Sequence, residues 1–206
     1  MKRYLTYDDV NIVPKYSELE SRSDVDLTSK LTKNIELRIP IVSSPMDTVT
    51  EFEMARAISH LGGIGFIHRF MDIERQSELV ASLGDLKVGA AVGVKGDYLE
   101  RAKELVLNGC NVILIDVAHG HHKLVKKAVE EFKNEFGRNV EIIGGCIATK
   151  EATKALCDWG VDGLRVGVGN GSLCETRIRT GVGLPQVTAL LDVCSVADGY
   201  GVPVIA

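Results

Sequence analysis

Seven short apolar runs recur along the chain, and each of the first six is followed by a stretch with helical periodicity. The first six runs begin about 23 to 28 residues apart, the length of one strand, one helix and two short loops. Because polar residues rarely interrupt them, the runs predict a parallel sheet that is covered on both faces. The seven runs are residues 40–43, 64–67, 88–92, 112–115, 140–143, 163–166 and 202–205.

The stretches between the runs predict amphipathic helices. Residues 98–106 place their apolar side chains on one stripe, and Asn108 and Gly109 predict the end of that helix. Thr149 predicts the N-cap of a second helix, and residues 188–197 predict a third. This alternation fits an open doubly wound sheet or a (β/α)₈ barrel, and periodicity does not choose between them. Since no linker or charge block divides residues 1–206, the sequence predicts a single domain.

Composition narrows the class of protein. The net charge of −4 argues against a nucleic-acid or polybasic membrane surface. No stretch reaches the roughly 18 apolar residues that span a bilayer, and the N-terminus lacks the apolar run of a secretory signal. The five cysteines are scattered and never spaced as Cys-x-x-Cys, which indicates reduced thiols. We therefore expect a cytoplasmic protein that binds neither nucleic acid nor membrane.

The richest candidate site follows the sixth run. Gly167, Gly169 and Gly171 alternate there, so the backbone can approach a ligand closely. Its N–H groups are suited to phosphate and its carbonyls to a cation. A dinucleotide fingerprint would place a helix directly after the glycines, whereas here residues 174–183 intervene. A merely flexible loop is the alternative interpretation.

Cys174 is the one cysteine in a glycine-rich loop, close to Arg177 and Arg179. Positive charge nearby would favour the reactive thiolate, so Cys174 is a candidate nucleophile, with a packed thiol as the alternative. The other cysteines carry weaker signals. Cys110 and Cys157 fall in helical or helix-end stretches, Cys194 falls in the helix predicted at 188–197, and all three are predicted to be core residues, whereas Cys146 follows a strand and is undecided.

Polar residues also follow the run at 112–115. Asp116 at a strand end can accept hydrogen bonds from ribose hydroxyls, or it can simply cap a helix. His119, His121 and His122 lack the i, i+4 spacing of a zinc pair, so they do not predict a metal site.

Several motifs together closely resemble the IMP dehydrogenase and GMP reductase family. The resemblance covers nearly the whole chain in order, and the Gly-Ser-x-Cys-x-Thr-Arg loop is its most specific part. The matching segments are residues 7–10, 43–51, 62–68, 88–93, 115–121 and 165–186.

The resemblance implies a (β/α)₈ barrel that oxidises IMP to XMP. Cys174 would attack carbon 2 of the purine, hydride would pass to NAD, and water would hydrolyse the resulting thioimidate. Thr176 matches a threonine near the reacting centre. The resemblance further implies that the substrate contacts Ser44, Met46, Arg165 and Ser172, that NAD contacts Asp116, Gly167, Val168 and Gly169, and that a monovalent cation, usually potassium, binds carbonyls of Gly169, Gly171 and Cys174. The family is tetrameric, so a homotetramer is expected.

Three departures from the family pattern change this picture. The family usually has a CBS-domain pair inserted between the second helix and the third strand, but here residues 81–86 connect the two directly. Cys146 stands at a position where the family commonly has an asparagine. The sequence also stops after the seventh run, where the family continues. We therefore expect a barrel truncated after about seven strands, inactive alone, which needs a complementing C-terminal fragment or a longer chain.

Two other functions remain open. A GMP reductase would use NADPH to deaminate GMP to IMP, and residues 20–26 and 52–55 favour this alternative. Residues 62–68 and Thr50-Glu51 lean toward the dehydrogenase, which is the preferred interpretation. The second alternative is a non-catalytic fragment that binds nucleotide or assembles with a full-length homologue.

Overall fold

The computed structural model describes residues 3–206 and contains a small hairpin and one large parallel sheet. Strands β1 (Ser29–Lys30) and β2 (Glu36–Leu37) form the antiparallel hairpin. The sheet comprises β3 (Val42–Ser43), β4 (Ile64–Ile67), β5 (Val88–Val92), β6 (Val112–Ile115), β7 (Glu141–Ile147), β8 (Gly163–Val166) and β9 (Val204–Ile205).

Seven helices connect or follow these strands. They are α1 (Phe52–Leu61), α2 (Ile73–Ala81), α3 (Tyr98–Leu107), α4 (Lys123–Phe136), α5 (Lys150–Trp159), α6 (Glu175–Thr180) and α7 (Gln186–Tyr200). Single 3₁₀ turns at Tyr7–Asp9 and Arg22–Asp24 precede the hairpin. Among the described residues, no helix has both the length and the apolar character required to cross a membrane.

The strand order decides between the two predicted architectures. Strands β3 to β9 lie side by side in chain order, and every neighbouring pair is parallel. A doubly wound sheet would reverse its order at a switch point, whereas a (β/α) barrel keeps it. The prediction of an α/β fold with seven strands of a (β/α)₈ barrel is therefore confirmed, as a curled half barrel.

Alternate residues of the strands enter two separate cores. Side chains such as Ile113, Phe132 and Leu156 pack in the outer core between sheet and helices. The inner core includes Phe66 and Leu114, and the hairpin contributes Leu31 and Leu37 to it. The hairpin lies at the amino-terminal end of the strands, because the N–H of Lys33 donates to the carbonyl of Asp162 and that of Arg38 to Gly62.

The predicted helix boundaries at α3 and α5 are confirmed. Asn108 caps α3, and Gly109 beyond it has a φ of 96°. The Thr149 hydroxyl accepts a hydrogen bond from the Ala152 N–H at 3.2 Å, as expected of an N-cap. Two expectations need correction: β7 continues to Ile147 and so contains Cys146, and Cys194 on α7 is only partly buried.

The half barrel leaves a cavity between its first and last strands. Within the described residues, β3 pairs only with β4 and β9 pairs only with β8. The space between them is about 420 Å³ and is lined by inner-core side chains such as Phe66, Leu114 and Ile205, with Ser44 and Arg165 near the carboxyl ends of the strands.

Candidate functional site

The predicted site residues gather at the carboxyl ends of the parallel strands, where barrel enzymes carry their chemistry. Ser44 follows β3, Asp116 follows β6, and Arg165 lies near the end of β8. Cys174 stands farther along the loop that leaves β8 and forms the N-cap of α6. The fold therefore brings to one edge residues that are up to 130 positions apart in the chain.

Asp116 lies between two guanidinium groups. Its Oδ1 accepts a hydrogen bond from Arg165 Nη1 at 2.8 Å, and its Oδ2 is 3.7 Å from Arg69 Nε. The Asp116 side chain is 20% exposed, and a carboxylate can accept about four hydrogen bonds. Asp116 therefore orients Arg165 and keeps acceptor capacity toward the open side.

Sequence reasoning did not assign a role to Arg69. Its guanidinium stands 5.0 Å above the centre of the Phe70 ring, a cation–π contact, and its Nε is buried without a hydrogen-bond partner among the described residues. Neighbouring His68 is buried and lies 3.2 Å from Glu51, whose side chain is half exposed. The sequence held one indication that these two residues belong to the site: His68 and Arg69 directly follow β4.

The loop after β3 is held by short-range hydrogen bonds. The Thr50 hydroxyl lies 2.6 Å from the Ser44 carbonyl and 2.9 Å from the Ser43 hydroxyl, while the N–H of Thr50 donates to the Met46 carbonyl at 3.0 Å. The side chains of Ser44 and Met46 are exposed. The two predicted substrate contacts are thus presented on a rigid turn.

The glycine loop depends on close backbone approach. Gly169 has a φ of 64°, and a Cβ built there would lie 2.5 Å from the Val182 carbonyl oxygen. The Leu184 N–H donates to the Val168 carbonyl at 2.9 Å and ties the loop to the segment after α6. At Gly167, with a φ of 140°, a Cβ would lie 2.9 Å from the Asn170 side chain. Two of the three alternating glycines are therefore required by geometry.

The surroundings of Cys174 favour the thiolate form of its side chain. The backbone N–H groups of Arg177 and Thr176 lower the pKa of its thiol, and the Thr176 hydroxyl and the positive charge of Arg177 act in the same direction. These N–H groups belong to the first turn of α6 and have no partner inside the helix, so they stabilise a thiolate at the N-cap.

This arrangement corrects two details of the sequence analysis. The sequence pattern predicts no helix directly after the glycines, but α6 begins immediately after Cys174. Arg179 was expected to favour the thiolate, but its Nε pairs with Glu175 at 2.8 Å on the exposed side of α6. The backbone of the helix, more than the arginine charge, activates the thiol.

The other four cysteines have the opposite character. Burial raises the pKa of Cys110 to about 12, and burial also raises the pKa of Cys157 and of Cys194. Burial likewise raises the pKa of Cys146, where the nearby Arg165 partly opposes the effect. Cys146 senses the charges of both Asp116 and Cys174, so it lies within the same cluster as these residues.

The predicted substrate contacts do not all line one cavity. Ser44 and Arg165 line the cavity between β3 and β9. Ser172 and Gly169 line a second cavity of about 380 Å³, together with Arg177 and the 3₁₀ turn at Tyr7–Asp9. Hydrogen bonds between Leu5 and Thr188 hold the N-terminal segment in place against α7. Met46 and Cys174 line neither cavity.

The residues predicted to hold NAD and a cation carry oxygen atoms of a suitable chemical type. The Gly171 carbonyl accepts the Cys174 N–H at 3.1 Å and has a second lone pair for a cation. Carbonyl oxygens are hard ligands of the kind that such ions prefer. Asp116 keeps lone pairs that can accept hydrogen bonds from a hydroxyl group.

The three histidines after β6 have other partners. His122 caps α4, because its Nδ1 accepts the Leu124 N–H at 3.1 Å. His121 packs against His119 and Trp159 with ring centres 6.4 and 6.2 Å away. No group of three or more His, Cys, Asp or Glu side chains in the described range is arranged to hold a metal ion.

Comparison with known proteins assigns the family. Residues 4–206 match the IMP dehydrogenase / GMP reductase domain. The chain is 40% identical to inosine-5'-monophosphate dehydrogenase of Cryptosporidium parvum, with 98% of this chain and 60% of that protein aligned. It is 37% identical to the enzyme of the same name from Borreliella burgdorferi, covering 100% of this chain and 63% of that protein. The chain thus spans less than two thirds of either relative, and it belongs to the IMP dehydrogenase / GMP reductase family.

Proposed function

We propose that this chain carries the nucleophilic part of an NAD-dependent IMP dehydrogenase. The observation that supports this most directly is the thiol of Cys174, the one cysteine of five whose pKa is lowered, by N–H groups at the start of α6. The relatives named above are inosine-5'-monophosphate dehydrogenases, which supplies the substrate class.

In the proposed reaction the Cys174 thiolate adds to carbon 2 of the purine of IMP, and a carbon–sulfur bond forms. The hydride on carbon 2 leaves with its electron pair, and NAD, when bound, supplies the acceptor for it. Water then attacks carbon 2 of the thioimidate, the carbon–sulfur bond breaks, and XMP, the thiolate and a proton are released. Covalent capture divides one difficult oxidation into two easier steps.

Residues around the thiol have separate proposed roles. Thr176 donates to the sulfur and keeps it ionised. Ser44, Met46, Arg165 and Ser172 bind IMP, and Asp116 binds a ribose hydroxyl of NAD beside residues 167–169. Carbonyls of Gly169, Gly171 and Cys174 would hold a potassium ion, which would brace the loop that carries the thiol.

We further propose that turnover requires a strand that closes the sheet. Among the described residues no strand pairs with the outer edge of β3 or of β9, and the cavity of about 420 Å³ between them has room for side chains of an added strand. A complementing segment of the same family would pair with both edges. Steady NADH release from IMP by the purified 206-residue chain alone would contradict this part of the proposal.

The test of the nucleophile uses iodoacetamide and mass spectrometry. IMP is expected to slow alkylation of Cys174, while Cys194, a partly exposed thiol on α7, is expected to react at the same slow rate with and without IMP. With IMP and NAD together, the wild type and Cys194→Ser should gain a covalent nucleotide, and Cys174→Ser should not. Equal alkylation of Cys174 with and without IMP, or an adduct that survives in Cys174→Ser, would contradict the proposal.

A GMP reductase is the second candidate, because the matching family includes both enzymes. The two activities differ in a direct assay, which compares NAD reduction with IMP against NADPH oxidation and ammonia release with GMP. Activity with GMP and NADPH alone would replace the dehydrogenase proposal.

A further inference from the structure

A cavity of about 470 Å³ lies at the opposite, amino-terminal end of the strands, away from Cys174. The hairpin turn, the end of α4 and the first residues of β7 and β8 surround it. Its polar lining consists of Lys33, Asn34, Lys133, Arg138, Glu141 and Asp162.

Glu141 is the unusual member of this group. The residue is 8% exposed, and its Oε1 accepts a hydrogen bond from Asn34 Nδ2 at 2.9 Å. Its Oε2 is buried and has no hydrogen-bond partner among the described residues. A buried carboxylate oxygen is costly without a donor, so this position favours a ligand that brings one.

The remaining charges show what else that ligand should carry. Asp162 is satisfied, because its Oδ2 accepts from Lys133 Nζ at 2.6 Å and from the Ile142 N–H at 2.8 Å. Lys33 and Arg138 are exposed at the rim, and neither forms an ion pair within the described range. In the part of the chain that the structure describes, two cations without an ion-pair partner and one acceptor without a donor line the same cavity, and this combination suits an anion that also has a hydrogen to donate.

We propose that this cavity binds a protonated oxyanion of the phosphate class. The P–OH group would donate to Glu141 Oε2, and the other oxygens would accept from Lys33 and Arg138. Asn34, which is exposed on the hairpin turn, donates to the other carboxylate oxygen, and in the proposal its side chain swings outward to admit the ligand.

The arrangement predicts selectivity between two anions of similar size. At neutral pH every inorganic phosphate ion keeps at least one P–OH hydrogen, whereas sulfate keeps none. Sulfate would place an oxygen against the Glu141 carboxylate with no hydrogen between them. Phosphate gains a charge-assisted hydrogen bond to Glu141, whereas sulfate is repelled by the same carboxylate. Phosphate should therefore bind at least about tenfold more tightly than sulfate.

The test is calorimetric titration of the full chain with sodium phosphate and with sodium sulfate at equal ionic strength. Glu141→Gln offers an amide donor to either anion, so the preference for phosphate should fall from about tenfold to near one. Arg138→Ala, on an exposed loop, should weaken both anions by a similar factor without affecting the fold. Ser172→Ala marks the nucleotide site at the other end and should leave the preference unchanged.

Three outcomes would overturn the proposal. Equal affinity of the wild type for the two anions would remove the role of Glu141, and no saturable phosphate binding would mean that only water reaches Oε2. A preference that Ser172→Ala abolishes and Glu141→Gln retains would assign the phosphate to the opposite end of the barrel. Circular dichroism of each variant separates loss of binding from loss of fold, and Arg138→Ala keeps the test valid if Glu141→Gln does not fold.

Discussion

Substitution of Gly169 by alanine tests whether backbone contact in the Cys174 loop shapes the site. Gly169 has a φ of 64°, a conformation that costs an alanine about 1–2 kcal/mol. The new Cβ would also lie 2.5 Å from the Val182 carbonyl oxygen, well inside van der Waals contact. Relief requires the segment at 182–183 to move away from the loop.

Substitutions at two other glycines separate the conformational cost from the steric contact with Val182. Gly181 has a nearly equal φ of 71°, but a Cβ there would meet no atom within 4 Å, so Gly181→Ala carries the conformational cost alone. At Gly171 the φ is not in the left-handed region, and a Cβ would make an ordinary contact of 3.6 Å with Cys174, so little change is expected. Moving residues 182–183 should also break the hydrogen bond from the Leu184 N–H to the Val168 carbonyl, which contributes about 1 kcal/mol.

The expected loss of unfolding free energy is about 2–3 kcal/mol for Gly169→Ala and about 1–2 kcal/mol for Gly181→Ala, so the two variants should differ by about 1 kcal/mol. At about 2–4 °C for each kcal/mol in a chain of this size, the melting temperature of Gly169→Ala should lie about 2–4 °C below that of Gly181→Ala. Scanning calorimetry measures the difference. In parallel, alkylation of Cys174 should slow in Gly169→Ala, because residues 182–183 directly follow α6, and their movement should disturb the helix whose first N–H groups lower the pKa of the thiol.

Equal melting temperatures for the Gly169→Ala and Gly181→Ala proteins would refute this reasoning, since the contact with Val182 would then impose no constraint. An unchanged alkylation rate at Cys174 in Gly169→Ala would separate the loop geometry from the activation of the thiol.

Three shorter predictions concern the site and the core. Thr176→Val should raise the pKa of Cys174 and slow its alkylation at neutral pH, because less thiolate is present there, whereas Thr176→Ser should preserve the rate; the pH profile of alkylation measures both. Asp116→Asn should lower the unfolding free energy, measured by urea titration, by about 1–2 kcal/mol. The double variant with Arg165→Met should lose less unfolding free energy than the sum of the two single losses, and strict additivity would show that the ion pair is not coupled. Leu156→Ala, at a fully buried position, should cost about 3 kcal/mol, while Leu173→Ala, at a position 90% exposed, should cost almost nothing; similar losses would contradict the assignment of the outer core.

The local structure of the candidate site was only partly visible in the sequence. Spacing placed Cys174 after a strand and among glycines, and the structure agrees. Arg177 lowers the pKa of the thiol as predicted, but the larger contribution was not visible in the sequence, because the backbone N–H groups of Thr176 and Arg177 face the sulfur only when α6 begins directly after Cys174. Arg179 looked equivalent to Arg177 in the sequence, but helical geometry turns Arg179 toward Glu175.

Periodicity and turn residues by themselves determined the β/α alternation, the limits of most strands, and the ends of α3 and α5, because these depend on neighbours within a few positions. Periodicity left the strand order open; the family resemblance implied a barrel, and the tertiary structure shows the barrel order. Tertiary structure alone shows that Arg69 and Arg165 meet at Asp116, and that Glu141 keeps an oxygen without a partner among the described residues beside a cavity. These features join residues from different strands, and their separation in space follows from sheet register and curvature, which no local pattern records.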